Sequence, residues 1–323
     1  MPQIIRQLKL YCKNFFPKLY NSFKPELTPL KAEKTFDNMH FTTGINRPPY
    51  ERNSGFLQVT SGCSHKKCTF CGYFKECAFK LSPIKEIPKY FGAPERIFLQ
   101  SADAFAASYD ILMTTAELIH KYVPSVKTIG GYARIDNFID KTENQLREMK
   151  NIGYSDPYIG VESGDDEILR KTNKGYDSKT AREQLEKLTS AGMSVITNFL
   201  NGLGGKNFGL THATKTAKLY DKINISMIEV SSLTLVPGTN LFYQKQRGKF
   251  FEATEIERLE EMQEFLRTLT NETIFLSDHI SMPFFVKAKL PEDRENLIEG
   301  IQKIIDEVGE ETLRRHREEN PIM

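Results

Sequence analysis

Three cysteines set the chemistry of this sequence: Cys63, Cys68 and Cys71, spaced C-x4-C-x2-C within TSGCSHKKCTFCGYF (60–74). Thiolates are the natural ligands of iron–sulfur clusters, and a compact loop can aim three of them at one cubane. Three protein ligands leave one iron open to a substrate or cosubstrate, much as a catalytic zinc keeps an open position. A structural zinc site is the other chemistry this spacing allows, with Cys77 or His65 as fourth ligand. Incidental reduced thiols are a third reading. The chain has five cysteines, Cys12 being the fifth, and four of them fall between positions 63 and 77. A disulfide framework spreads an even number of cysteines along a small secreted chain, so this odd cluster points to metal or redox work.

A loop of this kind needs a scaffold, and the sequence around it alternates short apolar runs with amphipathic stretches. Candidate strands are Phe56–Thr60, Arg96–Ser101, Val126–Gly131, Tyr158–Ser163, Ser194–Leu200 and Met227–Leu233. Helical patterns lie between them at Ile111–Val123, Glu143–Ile152, Ser178–Ala191 and His212–Lys222. Strands alternating with helices predict an α/β fold with a parallel sheet, either doubly wound or curled into a barrel. Polar or glycine residues follow the strands, at Gly62, Asp103, Gly130, Gly164, Gly202 and Gly238. In α/β barrels the chemistry sits at those strand ends. Three regions follow: a basic N-terminal extension (1–50), the β–α core (51–240), and a charged, mostly helical extension (241–323).

The bulk numbers fit this scaffold. With 323 residues, 39% hydrophobic and 27% charged, the chain can bury a substantial core. A formal net charge of +2 gives no reason to expect nucleic acid as the main partner. No apolar run approaches the roughly 20 residues that span a bilayer. The start, MPQIIRQLKLYCKN, is broken by charges and lacks a secretory apolar segment, so a cytoplasmic location is expected. Residues 1–34 carry seven Lys/Arg against two Glu. Ile4, Ile5, Leu8, Tyr11, Cys12, Phe15, Phe16 and Leu19 approximate one helical face, suited to an anionic membrane surface or, as favoured here, to packing on the barrel.

The cysteine loop, with aromatic Phe70 before its third cysteine, resembles the cluster loop of the radical S-adenosylmethionine (SAM) superfamily. The commonest superfamily spacing, C-x3-C-x2-C, is one residue shorter in the first gap. The resemblance continues through RIFLQSADAF (96–105), TIGGYARI (128–135), YIGVESGDDEILRKTNKG (158–175), NFLNGLGG (198–205) and TLVPGTNLF (234–242). It covers roughly residues 55–285 and is similar to the oxygen-independent coproporphyrinogen oxidase and methylthiotransferase groups.

The resemblance implies a partial (β/α)6 TIM-like barrel with N-terminal and C-terminal extensions, the latter helping to close the barrel mouth. It implies a 4Fe–4S cluster on Cys63, Cys68 and Cys71, with SAM chelated by the open iron. Reductive cleavage of SAM would give a 5′-deoxyadenosyl radical that takes hydrogen from a small-molecule substrate. Radical group transfer such as methylthiolation, or a non-catalytic zinc- or cluster-binding protein, are the alternatives. Ser101 and Asp103 occupy the place of the family's glycine–glycine–glutamate motif, which holds the methionine ammonium; Asp103 as a helix cap is the competing reading. Glu162 and Ser163 are expected near SAM's ribose or amino group, unless Glu162 pairs with Arg134 or Arg170. Asn198 and Gly202 are expected at the ribose, although an ordinary tight turn would also explain Gly202. Val236 and Tyr73 are placed near adenine. GLGG (202–205) is not a dinucleotide fingerprint, since Asn207 occupies the final glycine position of G-x-G-x-x-G and no suitably spaced motif follows the first strand.

Tyr132 and Arg134 project from the third strand end and are the substrate-side candidates, with His279. Asp278, His279 and Ser281 form a polar island between the apolar runs Thr273–Leu276 and Met282–Val286. The ordinary titration range of histidine would suit His279 to acid–base work. His65, Lys66 and Lys67 either solvate the loop or steer an acidic flavodoxin- or ferredoxin-like electron donor.

Overall fold

The computed structural model describes residues 13–22, 41–89 and 92–319. Eight strands form one sheet in chain order: β1 (Gly55–Gln58), β2 (Arg96–Gln100), β3 (Thr128–Ala133), β4 (Tyr154–Glu162), β5 (Val195–Asn201), β6 (Ile225–Ser232), β7 (Thr273–Ser277) and β8 (Val286–Leu290). Neighbours from β1 to β7 are parallel; β8 returns antiparallel to β7. The sheet does not close, since β1 and β8 are its ends. This is the expected partial barrel, and six of its strands overlap the sequence-derived ones.

The crossover helices are α1 (Tyr109–Tyr122), α2 (Glu143–Asn151), α3 (Asp166–Lys171), α4 (Ser178–Ser190) and α5 (Gly209–Tyr220). Their starts are written in the sequence. The Thr142 hydroxyl accepts from Gln145 N at 3.2 Å while the Gln145 side chain accepts from Thr142 N at 2.9 Å, a reciprocal cap on α2. Asp177 caps α4 through Thr180 N at 2.8 Å. Leu146 and Met149 of α2, like Leu185 and Leu188 of α4, are fully buried, as three- and four-residue apolar spacing requires.

After residue 240 come α6 (Asn240–Gln246), α7 (Glu255–Thr268), α8 (Arg294–Val308) and α9 (Glu310–Glu319), together with β7 and β8. The third region thus adds two strands to the sheet as well as helices. β4 begins four residues before its expected start. Its opening, Tyr154-Ser-Asp-Pro, is polar and contains proline, and its register against β3 shifts between Ile129 and Gly131. A proline at an irregularity of this kind loses little pairing.

Of the N-terminal apolar face, Ile4, Ile5, Leu8, Tyr11 and Cys12 lie outside the described residues. Phe15, Phe16 and Leu19 are buried in the core. The Phe16 ring lies 5.0 Å from that of Phe284 and presses on Gly300 of α8, where an added Cβ would meet it at 2.3 Å. These three residues pack on the barrel body, as favoured from the sequence. No helix among the described residues is long and apolar enough to cross a membrane.

Candidate active site

The cysteine loop leaves β1 and is pinned at several points. The Thr69 amide donates to Thr172 O at 2.9 Å, and Leu241 N donates to Thr69 O at 2.8 Å. Gly62 turns the chain at φ +66°, where a Cβ would lie 2.6 Å from Cys77 O, so only glycine fits. Cys63, Cys68 and Cys71 are free and partly exposed. Burial pushes the Cys71 thiol up, and the sulfurs of Cys68 and Cys63 act on it in the same direction. The three thiols therefore sense one another across a single loop. Two buried cations face them: Arg134 Nη1 lies 3.9 Å from Cys68 Sγ, and Lys174 acts on both Cys68 and Cys71. Cations beside thiolates suit a negatively charged iron–sulfur cluster.

The two side chains considered as a fourth zinc ligand are engaged elsewhere. His65 Nε2 meets Asn173 O at 2.6 Å, and Cys77 Sγ lies 3.6 Å from Thr42 Oγ1. Among the described residues, no group of three or more His, Cys, Asp or Glu side chains is gathered closely enough to hold one metal ion. A cubane needs no such convergence, because each thiolate binds a different iron.

Above the loop lies a cavity of about 200 Å³ at the C-terminal strand ends, lined by Phe70, Cys71, Gly72, Tyr73, Glu162, Asn198, Leu200, Ser231, Ser232, Leu233, Thr234, Val236 and His279. Five of the residues expected to bind SAM or substrate meet here: Tyr73, Glu162, Asn198, Val236 and His279. Glu162 stands at φ +67° and is held from two sides. Lys174 Nζ lies 3.1 Å from its Oε1, and Asn198 Nδ2 donates to Oε2 at 2.6 Å. Asn198 Oδ1 in turn accepts from Ser231 Oγ at 3.3 Å. Burial works against the Lys174 charge, but Glu162 holds the ammonium well above the ordinary lysine range. The carboxylate and amide are thereby fixed in orientation, and Thr234 Oγ1 is buried without a partner among the described residues. The mixture of apolar walls with a few fixed polar groups is what a nucleoside-sized ligand requires.

The remaining expected site residues are placed differently. Ser101 stands at φ +81° and its hydroxyl donates to Gly62 O at 2.9 Å. It braces the cysteine loop and does not line the cavity. Asp103 is fully buried; its Oδ2 accepts from Ser64 N at 2.9 Å and from the Ser64 hydroxyl. It makes no side-chain cap to the following turn, so it too braces the loop, one residue beyond Cys63. Ser163 accepts from Asp165 N at 3.0 Å and is buried in its own turn. Gly202, at φ +79°, packs against the Arg258 guanidinium, 2.4 Å from where its Cβ would stand, and its N–H donates to Glu261 at 2.9 Å. It serves a tight turn.

Arg134 belongs to the cluster side. It pairs with Asp136 at 2.8 Å, donates to Lys174 O at 2.7 Å and faces Cys68. Tyr132 lies deeper in the barrel, edge-on to Phe98 at 5.0 Å and Tyr158 at 5.2 Å. His279 lines the cavity, its Nδ1 2.8 Å from Ser281 Oγ, but burial pushes its pKa down to about 4. It is neutral at pH 7 and suited to hydrogen bonding; the acid–base range expected from its type does not apply. Lys174, which completes the Glu162 arrangement, was not singled out from the sequence. Its signal is its place at the end of YIGVESGDDEILRKTNKG, twelve residues after the acid it neutralises.

Residues 57–213 match the family described as the radical SAM superfamily. No curated protein sequence matches the chain. Solved structures share the fold. The Methanocaldococcus infernus Elp3 with an N-terminal deletion is 15% identical with a TM-score of 0.50, covering 80% of this chain and 64% of that one. Coproporphyrinogen III oxidase (HemN) from Escherichia coli, described as a radical SAM enzyme, is 15% identical with a TM-score of 0.51, covering 67% and 52%. HydG, a maturase of the FeFe-hydrogenase, is 16% identical with a TM-score of 0.50, covering 76% and 54%. The chain spans between half and two thirds of the length of these structures. At such identities the likeness is one of fold. The family match, with the cysteine loop, defines the class of this part of the chain: residues 57–213 form a radical SAM domain. That family uses a 4Fe–4S cluster and SAM, as the resemblance of the cysteine loop implied.

Proposed function

We propose that the chain cleaves SAM reductively and abstracts hydrogen from a small organic substrate held in the barrel. When bound and reduced, a cluster on Cys63, Cys68 and Cys71 supplies the electron that breaks a carbon–sulfur bond of SAM and yields a 5′-deoxyadenosyl radical. The residues do the rest. Arg134 and Lys174 offset the cluster's negative charge. Asn198 and the ion-paired Glu162 accept hydroxyl or amino donors of SAM, and Val236 with Tyr73 flanks its base. Neutral His279 closes the far wall and keeps water out of a site where a reactive radical must not be quenched. Lys66 and Lys67 stand exposed beside Cys68, where they favour approach of an acidic flavodoxin- or ferredoxin-like donor.

One observation carries this reading: the third cysteine of the loop and the Glu162–Asn198 pair line the same cavity. The test is anaerobic reconstitution followed by incubation with SAM and reduced flavodoxin. The expected result is iron and sulfide near four per chain with release of 5′-deoxyadenosine, both lost in Cys68→Ser. One zinc per chain and no cleavage would refute the proposal.

A further inference from the structure

Beneath the SAM cavity the barrel holds a second, larger space of about 1090 Å³, reached from the N-terminal strand ends. Its rim carries Tyr50, Glu51 and Arg96, and its inner wall carries Ile196, Met227, Leu276 and Asp278. Along β6 the inward residues run from Met227 in this lower space, through Glu229, to Ser231 in the upper cavity. Glu229 therefore sits between the two.

The charges of the lower space do not balance. Arg96 is consumed by two carboxylates, Glu51 and Asp156, each at 2.7 Å. Glu229 and Asp278 are 3% and 6% exposed, and neither forms an ion pair with any described residue. Glu229 accepts from the Tyr158 phenol, yet its Oε2 has no hydrogen-bond partner among the described residues. Asp278 Oδ1 has none either. Lys287 at the rim acts on Asp278 without pairing, and Arg47 is tied to the carbonyls of Pro48 and Pro49 at 3.1 Å. Burial, followed by their mutual repulsion, pushes Glu229 up, and burial does the same to Asp278. A buried carboxyl pair with free oxygens is costly unless something donates to it. Around Glu229 stand the phenols of Tyr50, Tyr132 and Tyr158, polar groups without charge that leave the acid unneutralised. Glu162, the acid placed to accept from SAM, is already neutralised by Lys174, and neither Glu229 nor Asp278 shares in that pair.

We infer that the lower barrel binds a small organic cation, with an ammonium or guanidinium group seated between Glu229 and Asp278 and its apolar part along Ile196, Met227 and Leu276. This names the substrate class of the proposed radical reaction and rests on that reading. The seat lies one layer below the SAM cavity, where Tyr158, which holds Glu229, packs edge-on against Tyr132.

The test is calorimetric titration of the cluster-loaded protein with 1,4-diaminobutane and, as uncharged counterpart, 1,4-butanediol. The diamine should bind at least tenfold tighter than the diol. Glu229→Gln and Asp278→Asn should each erase most of that preference. Glu229→Gln should also raise Tm, since it removes a buried acid with an open oxygen; were it to misfold, Asp278→Asn carries the comparison. Equal binding of diamine and diol, or a preference untouched by both variants, overturns the inference. SAM cleavage is measured on the same samples without amine. Cleavage without cation preference sinks the cation seat alone, whereas cation preference without cleavage sinks the radical reading alone.

Discussion

Arg134 shows how a single side chain's place changes its meaning. Read from the strand pattern, it points into the barrel toward substrate. In the fold its guanidinium is held by Asp136 and Lys174 O and turned to Cys68 Sγ. Burial opposes its charge, and Asp136 keeps it ionised. A fixed cation beside a ligating sulfur stabilises the more negative, reduced cluster. Arg134→Gln should therefore make the cluster harder to reduce, by roughly tens of millivolts, with iron content retained. A potentiometric titration followed by electron paramagnetic resonance reads this directly, and an unshifted midpoint would deny the residue that role. Ser101 and Asp103 carry a similar lesson. Their types suit SAM, but their polar atoms are directed at Gly62 and Ser64. Which way a side chain turns depends on its φ and on a loop forty residues away, and neither is visible in a residue's type.

The elements were more legible than the side chains. Apolar period was enough to locate six strands and four helices to within a few residues, because that signal is local. Glu162, Val236, Tyr73 and His279 came together because each sits at or after a strand end, and parallel strands bring their ends to one face; Asn198 joins them from within β5, pointing inward. β7 and β8 were not counted as strands: Thr273–Leu276 and Met282–Val286 are apolar enough, but they follow the long α7 and form a hairpin outside the alternating rhythm. Two of these elements clasp the SAM cavity directly. Gly72 of the cysteine loop faces the segment after β6, and an added Cβ would meet Val236 Cγ1 at 2.9 Å. Gly72→Ala should push these walls apart and weaken SAM binding severalfold while leaving the cluster loaded. Equilibrium dialysis of SAM against the reconstituted variant checks it, and an unchanged Kd would show that the clasp is looser than drawn.

At the scale of the whole molecule, an open sheet has to be finished by something other than its own strands. On one flank Phe15, Phe16 and Leu19 are buried, and Phe16 wedges between Phe284 and Gly300. Removing a fully packed phenylalanine costs about 3–5 kcal/mol, so Phe16→Ala should lower the urea midpoint accordingly; a change under about 1 kcal/mol would mean the wedge is peripheral.

The Phe16–Gly300 wedge joins residues separated by nearly the entire sequence. Closing so long a loop costs chain entropy that is repaid only after the intervening strands have assembled. A contact of this kind is expected to form late, so Phe16→Ala should speed the escape from the native state far more than it slows the return, as unfolding and refolding rates across a urea series would read.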